Sequence, residues 1–160
     1  MAAPALLLLR LTIAAVLAAH GAHRLFGVFG GPGVGPGGLS HTATYFASLG
    51  IGQSFAAAVV AGAIQLVGGL FLAVGFGARV TSAVVLVLVG VEVWKDQLRW
   101  GFFLNWTLDP ARGHGIEFSL VMVAVLVTIV LAGPGDWSFD GRRARRSASR
   151  AAGRARLRRH

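Results

Sequence analysis

The feature that most constrains this chain is a set of four long apolar stretches with few charged residues. In 160 residues, 55% are hydrophobic and only 13% are charged. A globule of this size cannot bury so much apolar surface, so we expect lipid to solvate it. Each stretch is close to the roughly 20 residues that cross a bilayer as a helix. The predicted spans are residues 5–27, 54–76, 79–97 and 116–132.

The spans are expected to be helices because their apolar residues run continuously instead of alternating. Four strands could not close a membrane barrel either. The predicted fold class is therefore all-α, an integral membrane four-helix bundle over residues 1–140. The remaining residues, 141–160, are predicted to be a disordered basic tail.

The connections between the spans follow from composition. Residues 28–40 are rich in glycine and proline and predict a loop, and residues 41–49 predict a short surface helix. Only Gly77 and Ala78 separate the second and third predicted spans, which indicates a tight hairpin. The aromatic residues between the last two spans are typical of the headgroup layer.

The charge of the chain is concentrated at its end. Of its 15 Lys and Arg residues, nine are arginines after position 141, so residues 1–141 have no net charge. Basic residues stay on the cytoplasmic side of a membrane, so both termini are predicted there. The tail favours anionic lipid. It disfavours nucleic acid, because it has no aromatic residue for base stacking.

Ionisable side chains inside a span cost about 2.5–3.5 kcal/mol on insertion scales, so each needs a partner or a cavity. We expect the basic face of the first span to meet Glu117 or Glu92 in a polar pocket. Ion pairs between helices, without any ligand, are the alternative that the sequence leaves open. Arg10 lies deeper and is expected to snorkel. The candidate pocket residues are His20, Arg24, Glu92, His114 and Glu117.

The second span has a face of small residues around one amide. Small residues at helical spacing let two helices approach closely, and a glutamine can hydrogen-bond across the gap. This face predicts helix packing and not a ligand site. Its members are Ala57, Ala61, Gln65, Gly68 and Gly69. No metal site is predicted, because His20 and His23 have no acidic or cysteine partner nearby in the sequence.

Several segments resemble the signatures of the DoxX family of bacterial membrane proteins. HGAHRLFGVFGG at 20–31 and YFASLG at 45–50 are similar to its first signature. AGAIQLVGGLFLAVGFGARV at 61–80 is similar to its second-span signature. The closing elements of the family resemble GFF at 101–103, Glu117-Phe118 and GPGDWSFD at 133–140.

The resemblance implies a four-helix membrane bundle associated with membrane redox systems. Relatives include a subunit of a thiosulfate:quinone oxidoreductase and proteins linked to oxidative stress. The family often has Glu where Gln65 stands and His where Gln97 stands, so two titratable groups are missing here. Arg24 and Glu117 match the family pattern.

The resulting prediction is an accessory subunit of a quinone-linked or oxidative-stress-related redox system, with no catalytic residue of its own. Its helices would offer an apolar crevice with a polar mouth, which suits a quinone. No other cofactor is predicted; a redox protein partner and a homo-oligomer are both compatible with the sequence. The alternatives are a small-molecule carrier or channel, and a non-catalytic membrane scaffold or assembly factor.

Overall fold

The computed structural model describes residues 2–30 and 35–157, and every regular element in these ranges is a helix. This confirms the predicted all-α class. A short 3₁₀ helix, Gln97–Trp100, follows the fourth α-helix. The α-helices are α1 Ala2–Phe26, α2 Leu39–Ser48, α3 Ser54–Val74, α4 Ala78–Lys95, α5 Glu117–Ala132 and α6 Phe139–Leu157.

Within the described residues, two helices are long and apolar enough to cross a membrane by length and composition. They are Ala3–Phe26, within α1, and Ser54–Val74, which is α3. Helix α5 is apolar but has 16 residues. Helix α4 has 18 residues and includes Arg79, Glu92 and Lys95. All four predicted spans are helical, and each helix boundary lies within three residues of its prediction.

Helices α1 and α3 form the most extensive contact in the fold. A Cβ on Gly21 would lie 2.3 Å from the backbone nitrogen of Leu66. On α3, a Cβ on Gly69 would lie 2.8 Å from the backbone oxygen of Ala14. Glycine therefore permits backbone contact between the two helices, as small residues do in membrane helix pairs.

The predicted packing face of α3 is largely buried. Gly69 faces α1, whereas Gly68 faces Thr81 and Val85 of α4. Ala61 is also buried, and Ala57 is half-buried. The side-chain oxygen of Gln65 is buried and has no hydrogen-bond partner in the described part of the chain. The hydrogen bond that we expected from Gln65 across the gap between helices is therefore not formed through its side-chain oxygen.

The remaining helices complete a side-by-side arrangement. A three-residue turn joins α3 to α4, and its two glycines adopt φ values of +70° and +54°, which glycine tolerates best. Helix α4 packs against both α3 and α5, and α5 also contacts α1. The shared core includes buried apolar residues from all four helices: Leu17, Leu72, Val85, Leu126 and Ile129.

Arg10 lies near one end of this arrangement, which we call the Arg10 end. Its side chain is 1% exposed and donates hydrogen bonds to the backbone oxygens of Pro134 and Trp137, at 2.5 and 2.8 Å. The expectation that Arg10 snorkels is therefore wrong. The chain after α5 folds back over the arginine and supplies acceptors for its charge, so the side chain does not need to reach water.

The basic tail differs from the disordered segment that the sequence predicts, because α6 extends from Phe139 to Leu157. Alanine and arginine are both strong helix formers, which accounts for helix in a segment with few apolar residues. The start of α6 is also held in place. The Asp140 carboxylate accepts the backbone N–H groups of Gly77 and Ala78, at 3.2 and 3.1 Å.

Candidate functional site

A cavity of about 420 Å³ lies at the opposite end, which we call the Arg24 end. It is bounded by the end of α1, by α2, by the first half of α3 and by the end of α4, and we call it the Arg24 cavity. Its lining combines apolar residues with a group of polar and charged side chains. The apolar walls include Phe46, Leu49, Ile51, Ala57, Val60, Ala61, Leu88 and Val91. The polar lining residues are Arg24, Tyr45, Glu92, Lys95, Asp96, Gln97 and His114.

An ion pair between Arg24 of α1 and Glu92 of α4 lies in the cavity wall. The two side chains are only 18% and 20% exposed. The guanidinium also lies 5.6 Å from the ring centroid of Phe46, a cation–π geometry. Because α1, α2 and α4 each contribute one of these groups, the arrangement fixes their positions around the cavity.

A second polar connection joins α2 to the end of α4. Tyr45 donates its hydroxyl hydrogen bond to Asp96, which also accepts bonds from Arg99 (2.7 Å) and Trp100 (3.1 Å). Burial and the bond to Asp96 raise the pKa of Tyr45. Burial alone would raise the pKa of Asp96, but its three donors outweigh burial and lower it. The phenol is therefore neutral and the carboxylate charged over the physiological pH range.

Of the five candidate pocket residues, Arg24, Glu92 and His114 line one cavity. His114 accepts the backbone N–H of Asn105 at Nδ1, at 3.1 Å, which leaves Nε2 to carry the ring hydrogen. The sequence left open whether Glu92 or Glu117 meets the basic face of the first span. In the structure, Glu92 is the partner of Arg24.

His20 and Glu117 do not line the Arg24 cavity. His20 is exposed on α1, with its ring centroid 6.2 Å from that of Phe118. Glu117 starts α5 and accepts the backbone N–H of Leu104 at 3.0 Å. A carboxylate at a helix N-terminus that fixes a preceding loop has a structural role there.

Asn105 organises the connection between α4 and α5, and the sequence analysis missed it. Its amide nitrogen donates to the backbone oxygens of Asp109 (2.8 Å) and Arg112 (2.6 Å), and its side-chain oxygen accepts the N–H of Asp109 (3.1 Å). An asparagine four residues before Asp109-Pro110 is typical of a side-chain-stabilised turn, a signal that could have identified it. This turn positions His114 in the lining of the cavity.

Chemically, the Arg24 cavity can hold a flat apolar group while polar groups contact its substituents. Lys95 also lines the cavity, with its ammonium 4.5 Å from the ring centroid of Trp94. The arrangement is therefore suited to binding a small apolar molecule with polar substituents.

Comparison with known proteins gives one match. The family model described as DoxX matches residues 5–95, which is more than half of the chain and covers α1 through α4. The match contains Arg24, Tyr45 and Glu92, the residues that connect α1, α2 and α4 around the cavity. No curated protein and no solved structure matches the chain.

Proposed function

This chain belongs to the DoxX family of membrane proteins, and we propose that it is an accessory subunit of a quinone-linked or oxidative-stress-related membrane redox system. In this role it binds a quinone in the Arg24 cavity and presents it to a redox protein partner. The subunit itself contributes binding and orientation, and the partner carries out the electron transfer.

The observation that carries this proposal is the combination of apolar walls and charged side chains in one cavity. Its volume of about 420 Å³ lies within the roughly 300–1,000 Å³ typical of ligand sites. A quinone ring fits apolar walls, and its carbonyl oxygens accept hydrogen bonds from Arg24, Lys95 or His114. The walls include Val60 and Val91, which are exposed on the helix surface, so an isoprenoid tail could leave toward lipid.

The proposal includes a membrane arrangement in which α1, α3, α4 and α5 all span the bilayer. Helix α4 can span despite its charges, because Arg79 and Lys95 lie at its ends and Glu92 is paired with Arg24. Helix α5 is about 24 Å long at 1.5 Å per residue, so the loops at its ends would lie close to the hydrocarbon boundary. In this proposed arrangement the basic helix α6 and the Arg10 end face the cytoplasm, and the Arg24 cavity lies near the outer leaflet.

Quinone binding to the purified chain tests the proposal. A photoreactive short-chain quinone added in mild detergent should crosslink to residues that line the Arg24 cavity. Ala57→Phe should weaken crosslinking about tenfold or more, because the added ring occupies the cavity. Ala56→Phe is the matched control, since Ala56 is exposed and does not line the cavity. Equal crosslinking in both variants, or labelling spread over the lipid-facing surface, would contradict the proposal.

A carrier or channel has less support as an alternative. A water path along the polar face of α3 would pass Gly62, Gln65 and Gly69, which are buried. A Cβ on Gly62 would lie 2.7 Å from the Leu25 side chain, and one on Gly69 would touch the α1 backbone. A scaffold role predicts a cellular phenotype that does not depend on any titratable residue of the cavity. Complementation by the Lys95→Gln variant, which leaves the ion pair between Arg24 and Glu92 intact, separates it from quinone binding.

A further inference from the structure

A second cleft, of about 400 Å³, lies at the start of α6, far from the Arg24 cavity. Its lining consists of one phenyl ring and three arginines: Phe139, Arg142, Arg143 and Arg146. We propose that this cleft binds the phosphate of an acidic membrane lipid at the Arg10 end. The proposal is independent of quinone binding and concerns a different surface of the protein.

Helical geometry brings the four side chains together. From Phe139 the arginines follow at positions +3, +4 and +7, which fall on one face of an α-helix. Three guanidinium groups on one face can each donate several hydrogen bonds to phosphate oxygens. The ring of Phe139 provides an apolar surface beside them.

The neighbouring carboxylates do not neutralise these arginines. Asp136 pairs with Arg145, whose guanidinium nitrogen lies 2.7 Å from its carboxylate oxygen. Asp140 accepts the backbone N–H groups of Gly77 and Ala78. Of the three arginines, Arg142 donates to the backbone oxygen of Ser138 at 3.4 Å, which leaves its charge unopposed. An anion from outside the chain would therefore be bound favourably.

Three aromatic rings in contact with one another extend from the cleft, and they favour a lipid headgroup as the bound anion. Phe139 lies 5.6 Å from Phe76, and Phe76 lies 5.3 Å from Phe71 on α3, between ring centroids. All three rings are more than 40% exposed, so they form a continuous apolar surface from the cleft to the side of the protein. Phosphate in the cleft places acyl chains along these rings, an arrangement that a nucleic acid cannot use.

Native mass spectrometry of the full-length protein tests this site. The detergent-solubilised chain is incubated with equimolar phosphatidylglycerol and phosphatidylcholine, and the retained lipids are counted. Wild-type protein should retain phosphatidylglycerol preferentially. The variant Arg142→Gln/Arg143→Gln/Arg146→Gln should lose about fivefold in affinity per arginine, or roughly 100-fold in total.

The control variant removes the same charge elsewhere on α6: Arg150→Gln/Arg154→Gln/Arg156→Gln. It should change phosphatidylglycerol affinity by no more than about threefold, since only diffuse attraction is lost. Equal losses in the two variants, or no preference for phosphatidylglycerol in the wild type, would overturn the proposal. So would an RNA oligonucleotide that binds through the three cleft arginines while phosphatidylglycerol does not.

Discussion

Arg24 and Glu92 are 68 positions apart in the chain, yet they form an ion pair that joins α1 to α4 at the wall of the Arg24 cavity. Each side chain is about four-fifths buried. Removing one partner leaves a desolvated charge, whereas removing both leaves two neutral groups that can pair. The ion pair therefore couples the stability of the fold to the shape of the cavity.

The variants Arg24→Gln and Glu92→Gln should each lower the free energy of unfolding by about 1–3 kcal/mol, the cost of a partly buried charge without a partner. In the double variant the free energy of unfolding should fall by less than the sum of the two single-variant losses, with a coupling energy of about 1 kcal/mol. Thermal unfolding in one detergent measures all four proteins. Strict additivity would mean that the two side chains do not interact.

Close packing of α1 on α3 predicts that the Gly69→Ala substitution lowers the stability of the fold, although alanine is the better helix former. The added methyl would meet the backbone of Ala14 and Ala18 at 2.8 Å, and overpacking of this kind costs about 1–3 kcal/mol. Gly90 on α4 is the control, because nothing lies within 4 Å of a Cβ there. Gly90→Ala should leave stability unchanged or raise it by up to about 1 kcal/mol. Similar melting temperatures for both variants would contradict the observed packing.

Arg10 should hold the chain after α5 in place. In Arg10→Met the backbone oxygens of Pro134 and Trp137 lose their charged donor, at a cost of about 2–3 kcal/mol. Hydrogen exchange of residues 133–141 should accelerate in this variant. Arg79→Met is the control: Arg79 is exposed, and its hydrogen bond to Leu131 is long, at 3.4 Å. Unchanged protection of 133–141 in Arg10→Met would show that other contacts hold this segment.

The raised pKa of Tyr45 predicts that the folded protein loses stability at alkaline pH. Its pKa is raised on folding, so its contribution is complete below about pH 10, the unfolded value, and is lost as the pH rises through the folded pKa. Because Tyr45 is the only tyrosine, ultraviolet absorbance reports its ionisation without interference from another phenol. The folded protein should ionise at clearly higher pH than the denatured protein. Identical titration curves would exclude the bond to Asp96.

Asp96 gives the corresponding prediction at acid pH. Its pKa is lowered on folding, so its contribution is complete above about pH 4 and is lost as the pH falls through the folded value. The Asp96→Asn variant should lack the loss of stability that comes from protonating Asp96. Its melting temperature should therefore vary less between pH 5 and pH 3 than that of the wild type. The same acid dependence in the variant and the wild type would place its origin at other carboxylates.

Helices α1 to α5 could be predicted from the sequence because each has a local cause. Apolar runs set the positions of α1, α3, α4 and α5, and the glycines around position 76 set the hairpin. The pairing of Arg24 with Glu92 was one of two alternatives, because sequence spacing cannot choose between acidic residues on two different helices. Glu117 instead accepts the backbone N–H of Leu104.

The remaining features depend on contacts between distant residues. The acceptors of Arg10 are 124 and 127 residues away, and nothing near Arg10 in the sequence indicates them. The bond of Tyr45 to Asp96 could not be predicted, since it requires α2 to fold onto the end of α4. Helix α6 was missed because its charge was taken as a sign of disorder, while its helix propensity and the anchoring by Asp140 favour order.

Labelling of single cysteines tests the membrane account most directly, because the chain has no cysteine of its own. Ser40→Cys and Thr107→Cys place a thiol on exposed positions at the Arg24 end, and Ser147→Cys places one on α6. In intact cells an impermeant maleimide should label the first two and should reach position 147 only after the membrane is opened. Equal labelling of all three positions in intact cells, or release of the chain from membranes by an alkaline wash, would contradict four spans with both termini in the cytoplasm.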